Sequence, residues 1–342
     1  MLLEHGDKFL ELFNALLENA TRENLSDLLY IREGWLDELD ARARRPHATY
    51  TTGLEALDAL LGGGYAEGLH LLGGITGGGK TSFALQVATH NAAAGRPVIF
   101  ASYEQPRLEL WARIAVGLTD VPYTAIKRGT YDERGQKLLT SSVLRSDGGW
   151  ERLETVAKNL KIVEGGDALS RSTSAYTVEA LVTTARAIAE EHGAPPLIIV
   201  DYLQRVPAPV ELKIREVRER VGYTAGLLQM HLARDVGCPV LALSSIGRDS
   251  YKLQEEPLEK RLASFKEAGE LEYTCYTALL IYGLSDDLQG RLDLTPGMMS
   301  TFKPMTLDLV KNREGGIGRA GVQWHIARGA WNGAKPIVER SR

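Results

Sequence analysis

The chain has 342 residues, 44% of them hydrophobic, 25% charged and 7% aromatic, which suits a globular protein with a large core and excludes a disordered or collagen-like chain. Its net charge of −4 argues against coating nucleic acid by bulk electrostatics, while leaving room for a local basic channel. No uninterrupted apolar run reaches the roughly 18 residues that a membrane span needs, so no membrane partner is expected.

Glu4 and Asp7 stand where a secretory signal carries positive charge, and a cytoplasmic location is expected. Residues 1–48 carry ten acids against six bases, which accounts for the whole charge deficit and leaves the remaining body formally neutral. Phe9, Leu12, Phe13, Leu16 and Leu17 recur at helical spacing, predicting an N-terminal helix within residues 1–25. After the break at Asn24 and Ser26, residues 26–48 carry a second amphipathic helix marked by Leu28, Ile31, Trp35 and Leu39. So short a segment cannot build its own core. The two helices need a surface on their own body or on a neighbouring subunit.

From residue 49 to 342 short apolar runs alternate with helical periods, the signature of an α/β fold with a mostly parallel sheet flanked by helices. The runs are Leu69 to Leu72, Val98 to Ala101, Leu197 to Val200, Val240 to Leu243 and Leu279 to Ile281. A helix marked by Val178, Leu181, Val182, Ala185 and Ile188 stops at Gly193 and the Pro195-Pro196 pair. Val322, Trp324 and Ile326 alternate as a strand and predict an antiparallel extension. Cys238 and Cys275 stand far apart, with no Cys-x-x-Cys pair and no histidine at ligand spacing, so both are expected as buried thiols.

The strongest chemical signal is Gly74-Ile75-Thr76-Gly77-Gly78-Gly79-Lys80-Thr81, followed by Ser82, which fits the phosphate-binding loop Gly-x4-Gly-Lys-[Ser/Thr] between a strand and a helix. Gly74, Gly77, Gly78 and Gly79 let backbone amides approach phosphate oxygens. Lys80 supplies a point charge and Thr81 a magnesium ligand. A nucleoside triphosphatase also needs a strand-end acid on the metal side, which Asp201 supplies, and a carboxylate to polarise water, for which Glu104 is the candidate. A nucleoside triphosphate and Mg²⁺ are the expected cofactors.

With these blocks in place the sequence resembles the motor domain of DnaB-type replicative helicases, a branch of the RecA-type hexameric helicases. The resemblance runs over roughly residues 28–333. It rests on Thr52-Gly53-Leu54-Glu55-Ala56-Leu57-Asp58, Phe100-Ala101-Ser102-Tyr103-Glu104, Asp201-Tyr202-Leu203-Gln204, Ala242-Leu243-Ser244-Ser245-Ile246-Gly247-Arg248 and Lys311-Asn312-Arg313-Glu314-Gly315, in the family's order. The resemblance implies a RecA-like fold, catalytic roles for Lys80 and Glu104, and Lys311 and Arg313 reaching into a neighbour's site in a six-membered ring. It makes Ser245 the counterpart of a glutamine assigned to sensing phosphate. It places single-stranded DNA against Lys266, Glu267 and Gly269, in a loop suited to phosphate tracking.

The resemblance also implies that the helix within residues 26–48 docks on an adjacent subunit, and that two helices stand where full-length relatives carry a globular domain. Loader and primase partners are unspecified. Arg248, Lys252, Lys260 and Arg261 are expected as surface charges, because Glu255, Glu256 and Glu259 are interleaved with them. Tyr273 and Tyr276 are expected to be buried by packing. The favoured function is an ATP-driven helicase or translocase on single-stranded DNA. The alternative is a non-motor RecA-fold ATPase that controls assembly or docking, of recombination-mediator or clock-ATPase type.

Overall fold

The computed structural model describes residues 50–118, 148–165, 176–208, 216–247, 256–265, 268–283 and 302–336, with isolated positions elsewhere. Contacts divide the chain into two units, Met1–Ala48 and Thr49–Arg342. Apart from isolated positions, the helices expected within residues 1–25 and 26–48 lie outside the described residues.

The described elements begin with α1 (Glu55–Leu60), β1 (Gly68–Gly74), α2 (Lys80–Ala93), β2 (Val98–Ser102) and α3 (Arg107–Leu118). A short ribbon of β3 (Thr130–Tyr131) and β4 (Lys137–Leu138) follows, then α4 (Gly149–Asn159), β5 (Leu160–Glu164), α5 (Val178–His192) and β6 (Leu197–Asp201). Next come α6 (Val217–Leu227), extended by a π turn over Leu228–Arg234, then β7 (Pro239–Ser245), a 3-10 helix over Leu258–Ser264 and α7 (Ala268–Thr274). The chain closes with β8 (Thr277–Gly283), β9 (Phe302–Asn312), β10 (Gly318–His325) and β11 (Ala330–Pro336).

Nine strands form one sheet in the order β11-β10-β9-β8-β1-β7-β6-β2-β5. From β8 to β5 every pairing is parallel, and β9, β10 and β11 extend the sheet antiparallel. All five apolar runs are strands, and their uninterrupted character has a direct cause. In β6, Ile198 and Val200 enter a core with Leu69, Leu71, Ile99 and Val240, while Leu197 and Ile199 enter a second core with Leu72, Phe100, Leu241 and Leu243. A strand covered on both faces has no reason to alternate polar with apolar residues. Helix α5 ends at Gly193 as expected, with φ +67° there, and at its start Thr177 Oγ1 accepts from the Ala180 amide at 3.4 Å.

The edge strand β5 is not among the runs read from the sequence, because Lys161 interrupts it on an exposed position, a common way of blunting a sheet edge. The expected alternation of Val322, Trp324 and Ile326 holds for the first two. β10 stops at His325, and Ile326 is exposed in the following turn. Both cysteines are buried free thiols.

Arg261 corrects the expectation of a surface charge. It is 3% exposed, and its guanidinium contacts both Asp308 and the hydroxyl of Tyr282. Asp308, fully buried on β9, also accepts from Arg319 Nε at 2.8 Å and from Thr306 Oγ1 at 2.9 Å. A strand-centre carboxylate attracts guanidinium groups from either side, which the acids interleaved with Arg261 in sequence do not reveal. Tyr273 is the second correction: it is 82% exposed, because the short α7 buries Leu271 and turns Tyr273 outward. Tyr276, just past that helix, is half-buried.

His70 on β1 is buried and fully paired. Its Nε2 donates to the Ala66 carbonyl at 2.8 Å, leaving Nδ1 to accept from Thr277 Oγ1 at 2.8 Å. Burial pushes its pKa from 6.5 to about 4, the Ala66 hydrogen bond opposing that shift. Because the unfolded chain takes up this proton first, stability is lost as pH falls from about 6.5 towards 4, by about 3 kcal/mol. The stability advantage of wild type over His70→Gln is therefore expected to shrink by about that amount between about pH 7 and about pH 4, read from urea midpoints. A pH-independent difference would contradict this assignment.

Candidate functional site

The carboxyl ends of the parallel strands meet where an open α/β sheet places its ligand. Gly74 at the end of β1 pairs with Ser245 of β7 and with Ile281 of β8, and Asp201 at the end of β6 pairs with Ser102 of β2. A cavity of about 430 Å³ opens over these ends. It brings together Gly77, Gly78, Gly79, Lys80, Thr81, Ser82, Glu104, Asp201 and Ser245, all singled out from the sequence.

The loop is bare for a geometric reason at two positions. At Gly74 a Cβ would sit 2.6 Å from Ile281 Cγ2. At Gly79 φ is +90°, and a Cβ would sit 2.6 Å from Trp331 Cζ2. The tryptophan is held there by α2: Gln86 Nε2 donates to the Trp331 carbonyl at 2.8 Å, Gln86 Oε1 accepts from the Trp331 amide at 2.6 Å, and Ser82 Oγ donates to the Gly329 carbonyl at 2.7 Å. Trp324 stacks on Trp331 with centroids 5.1 Å apart and planes 6° apart. The β10–β11 hairpin thus forms a wall of the phosphate loop.

Lys80 Nζ donates to the Gly74 and Ile75 carbonyls at 2.7 and 3.0 Å, inside the loop it serves. Burial lowers its pKa, with the Asp201 and Glu104 carboxylates acting in the opposite direction. Thr81 Oγ1 donates to Asp201 Oδ2 at 2.8 Å. Asp201 is 1% exposed, and burial pushes its pKa up to about 6, although the Thr81 hydrogen bond and the Lys80 and Arg113 charges lower it. A hydroxyl and a carboxylate this close are the hard oxygen donors that a magnesium ion shares with phosphate and water, so the residues fit that ion.

Ser245 reaches the cavity edge. Its amide donates to Gln204 Oε1 at 3.4 Å, and Gln204 Nε2 donates to Ser244 Oγ at 2.9 Å. Arg113 on α3 was not singled out from the sequence. It lines the phosphate cavity and lies over the Tyr123 ring at 4.8 Å, and its buried Nε has no hydrogen-bond partner among the described residues. The available signal was an arginine between the buried Leu110 and Ile114 on a helix that follows Glu104. A second cavity, of about 420 Å³, adjoins the first along Ser82, Arg113, Trp324 and Ile326, and continues past Thr89, Tyr123 and Trp331.

Lys311 and Arg313 do not line either cavity. Lys311 Nζ donates to the Glu272 carbonyl and, at 2.8 Å, to that of Cys275, while an Arg313 Nη2 donates to the Tyr273 carbonyl. Gly269 lies on α7, 3.2 Å from Arg218 Nη2 as measured from the Cβ it lacks. Lys266, Glu267, Arg248 and Lys252 lie outside the described residues. Among the described residues no helix is long and apolar enough to cross a membrane.

The family described as "DnaB-like helicase C terminal domain" matches residues 50–330. The chain is similar to the replicative DNA helicase DnaB of Haemophilus influenzae, 23% identical over 338 residues, covering 95% of this chain and 64% of that protein. It is also similar to the probable replicative DNA helicase of Trieres chinensis, 23% identical over 289 residues, covering 82% and 56%. The chain therefore spans less than two thirds of the length of these relatives. Among solved structures, a DnaB-like replicative helicase described with its primase interactions superposes with a TM-score of 0.65 at 18% identity, covering 96% of this chain and 75% of that one. A structure described as an ATPase domain also gives 0.65 at 18% identity, covering 88% of this chain and 97% of that one. The last two likenesses establish the RecA-like fold.

The wall formed by Trp331 makes a direct prediction. Gly79→Ala is expected to lower nucleotide affinity by at least about tenfold in a fluorescent-nucleotide titration. Gly62→Ala, at φ +74° with nothing within 4 Å, carries comparable backbone strain and is expected to leave that affinity unchanged.

Proposed function

The chain belongs to the family of DnaB-like helicase C-terminal domains, and on that premise we propose that it is an ATP-driven motor acting on single-stranded DNA. In this reading it works in the cytoplasm as a ring of subunits, hexameric as the resemblance implies. Each nucleotide site takes Lys311 and Arg313 from the adjacent subunit. The observation that carries the reading is the Thr81–Asp201 hydrogen bond at the mouth of a glycine loop, with Glu104 on the same cavity. That arrangement supplies phosphate amides, a metal site and a base at once.

ATP is the substrate. The phosphate loop amides and Lys80 hold the β and γ phosphates, and Arg113 adds a second cation from the same chain. Thr81 and Asp201 would hold a magnesium ion, which when bound would supply positive charge against the phosphate oxygens. Glu104 orients the attacking water and accepts its proton as the bond to the leaving ADP breaks. The nucleoside end extends into the adjoining cavity, beside Trp324 and Tyr123. Lys311 and Arg313 are engaged by carbonyls at the end of α7, outside their own chain's phosphate cavity, which supports action in trans. A cation inserted from a neighbour stabilises charge on the transferring phosphoryl group and ties hydrolysis to subunit movement.

Steady-state ATP hydrolysis with and without single-stranded DNA tests this reading. Stimulation by DNA that declines steeply with added salt is expected, with Lys80→Ala inactive. Hydrolysis indifferent to DNA would transfer the protein to the class of assembly ATPases. Arg313→Ala is expected to lose about 10³-fold or more in rate while still binding nucleotide. A fully active Arg313→Ala protein would sink the assignment in trans.

A further inference from the structure

Both described stems of the proposed DNA loop are tied to β9. On the amino-terminal side, the 3-10 helix Leu258–Ser264 carries Arg261, whose Nε donates to the Glu256 carbonyl at 2.7 Å while its Nη1 contacts Asp308 of β9. Phe265 then packs on Gly73, where a Cβ would sit 2.7 Å from its ring, and Ile246 bridges to it. On the carboxyl-terminal side, α7 ends in carbonyls that accept from Lys311 and Arg313, and the Arg313 amide donates to the Tyr276 carbonyl at 3.1 Å.

Lys311 reaches that helix because β9 is bulged. Leu279 pairs with Leu309 and Ala278 with Lys311, so Val310 has no partner on β8. The extra residue reverses the alternation and turns Lys311 to the face that carries Asp308 and Val310. Three anchors close together on the chain, Asp308, Lys311 and Arg313, thereby grip the segments before and after Lys266 and Glu267.

We infer that Arg261 is a positioning residue that couples the DNA loop to the strand carrying Lys311 and Arg313. The inference rests on the proposed DNA-stimulated motor. A load on the loop pulls on both stems, and a buried ion pair at one stem with charge-assisted hydrogen bonds at the other transmits that load to β9 without slack. Loss of Arg261 removes the tie between the first stem and β9, while Phe265 stays on Gly73 and Asp308 stays paired with Arg319 and Thr306.

The test compares Arg261→Met with Arg319→Met in the full chain. Each removes one guanidinium from Asp308, but only Arg261 belongs to the loop stem. Basal ATP hydrolysis and KM for ATP are expected to stay within about twofold of wild type in both. The stimulation ratio with DNA is expected to fall to near one in Arg261→Met and to persist in Arg319→Met. Equal behaviour of the two variants would reduce Arg261 to a structural contact and overturn the inference. A wild type that DNA does not stimulate would instead refute the motor reading, and this inference with it. Should Arg261→Met fail to fold, Arg261→Lys keeps the charge but cannot hold Glu256 and Asp308 together. Undiminished stimulation in Arg261→Lys would likewise overturn the inference.

Discussion

A backbone amide holds a phosphate oxygen well only when it is bare and already fixed, because neither desolvation nor ordering is then left to be met on binding. The architecture around residues 74–81 follows from that constraint. β1 is buried along its whole length between β7 and β8, so the loop starts from a strand end paired on both sides. The same loop runs into α2, whose first turn presents further amides and the positive end of the helix dipole. Ser82 and Gln86 on that helix bind the β10–β11 hairpin and bring Trp331 against Gly79. Sheet, helix and hairpin thus converge on a stretch of backbone in which four of eight residues are glycine.

Charge is balanced around the loop with the same economy. Asp201 lies deep enough for burial to work against its ionisation, and Thr81, Lys80 and Arg113 all act to restore it. Lys80 is itself depressed by burial and supported by the two acids facing it. Each group is therefore poised by its opposites, and under the proposed function a phosphate entering with its metal would change the field at all of them together. The cations of β9 and its following turn stand apart from this set. They cap the final carbonyls of α7, where a helix end favours positive charge.

The parallel sheet, the glycine loop, Asp201 and Glu104 are legible in sequence because each depends on local order: an apolar run, a motif spacing, an acid at a strand end. Ser245 is legible as a position, although its hydrogen bond to Gln204 is not. Arg261 misleads because its partners Tyr282 and Asp308 are 21 and 47 positions away on separate strands, beyond any window of neighbouring charges. Tyr273 misleads because a helix of seven residues buries only one face. Arg113 escapes notice because an arginine on an apolar helix face announces a site only once the opposite wall is known. The direction of Lys311 depends on a bulge, which no alternation pattern in β9 announces.

The parallel tryptophan stack has one more consequence. Trp324 and Trp331 are two of the five tryptophans in the chain, and their stacked rings lie against the backbone of Gly79. Indole emission depends on ring overlap and on the polarity of the surroundings, so under the proposed function a phosphate chain settling on this loop is expected to alter the light the protein gives off. The residues that shape the site would then make it self-reporting, with no label attached.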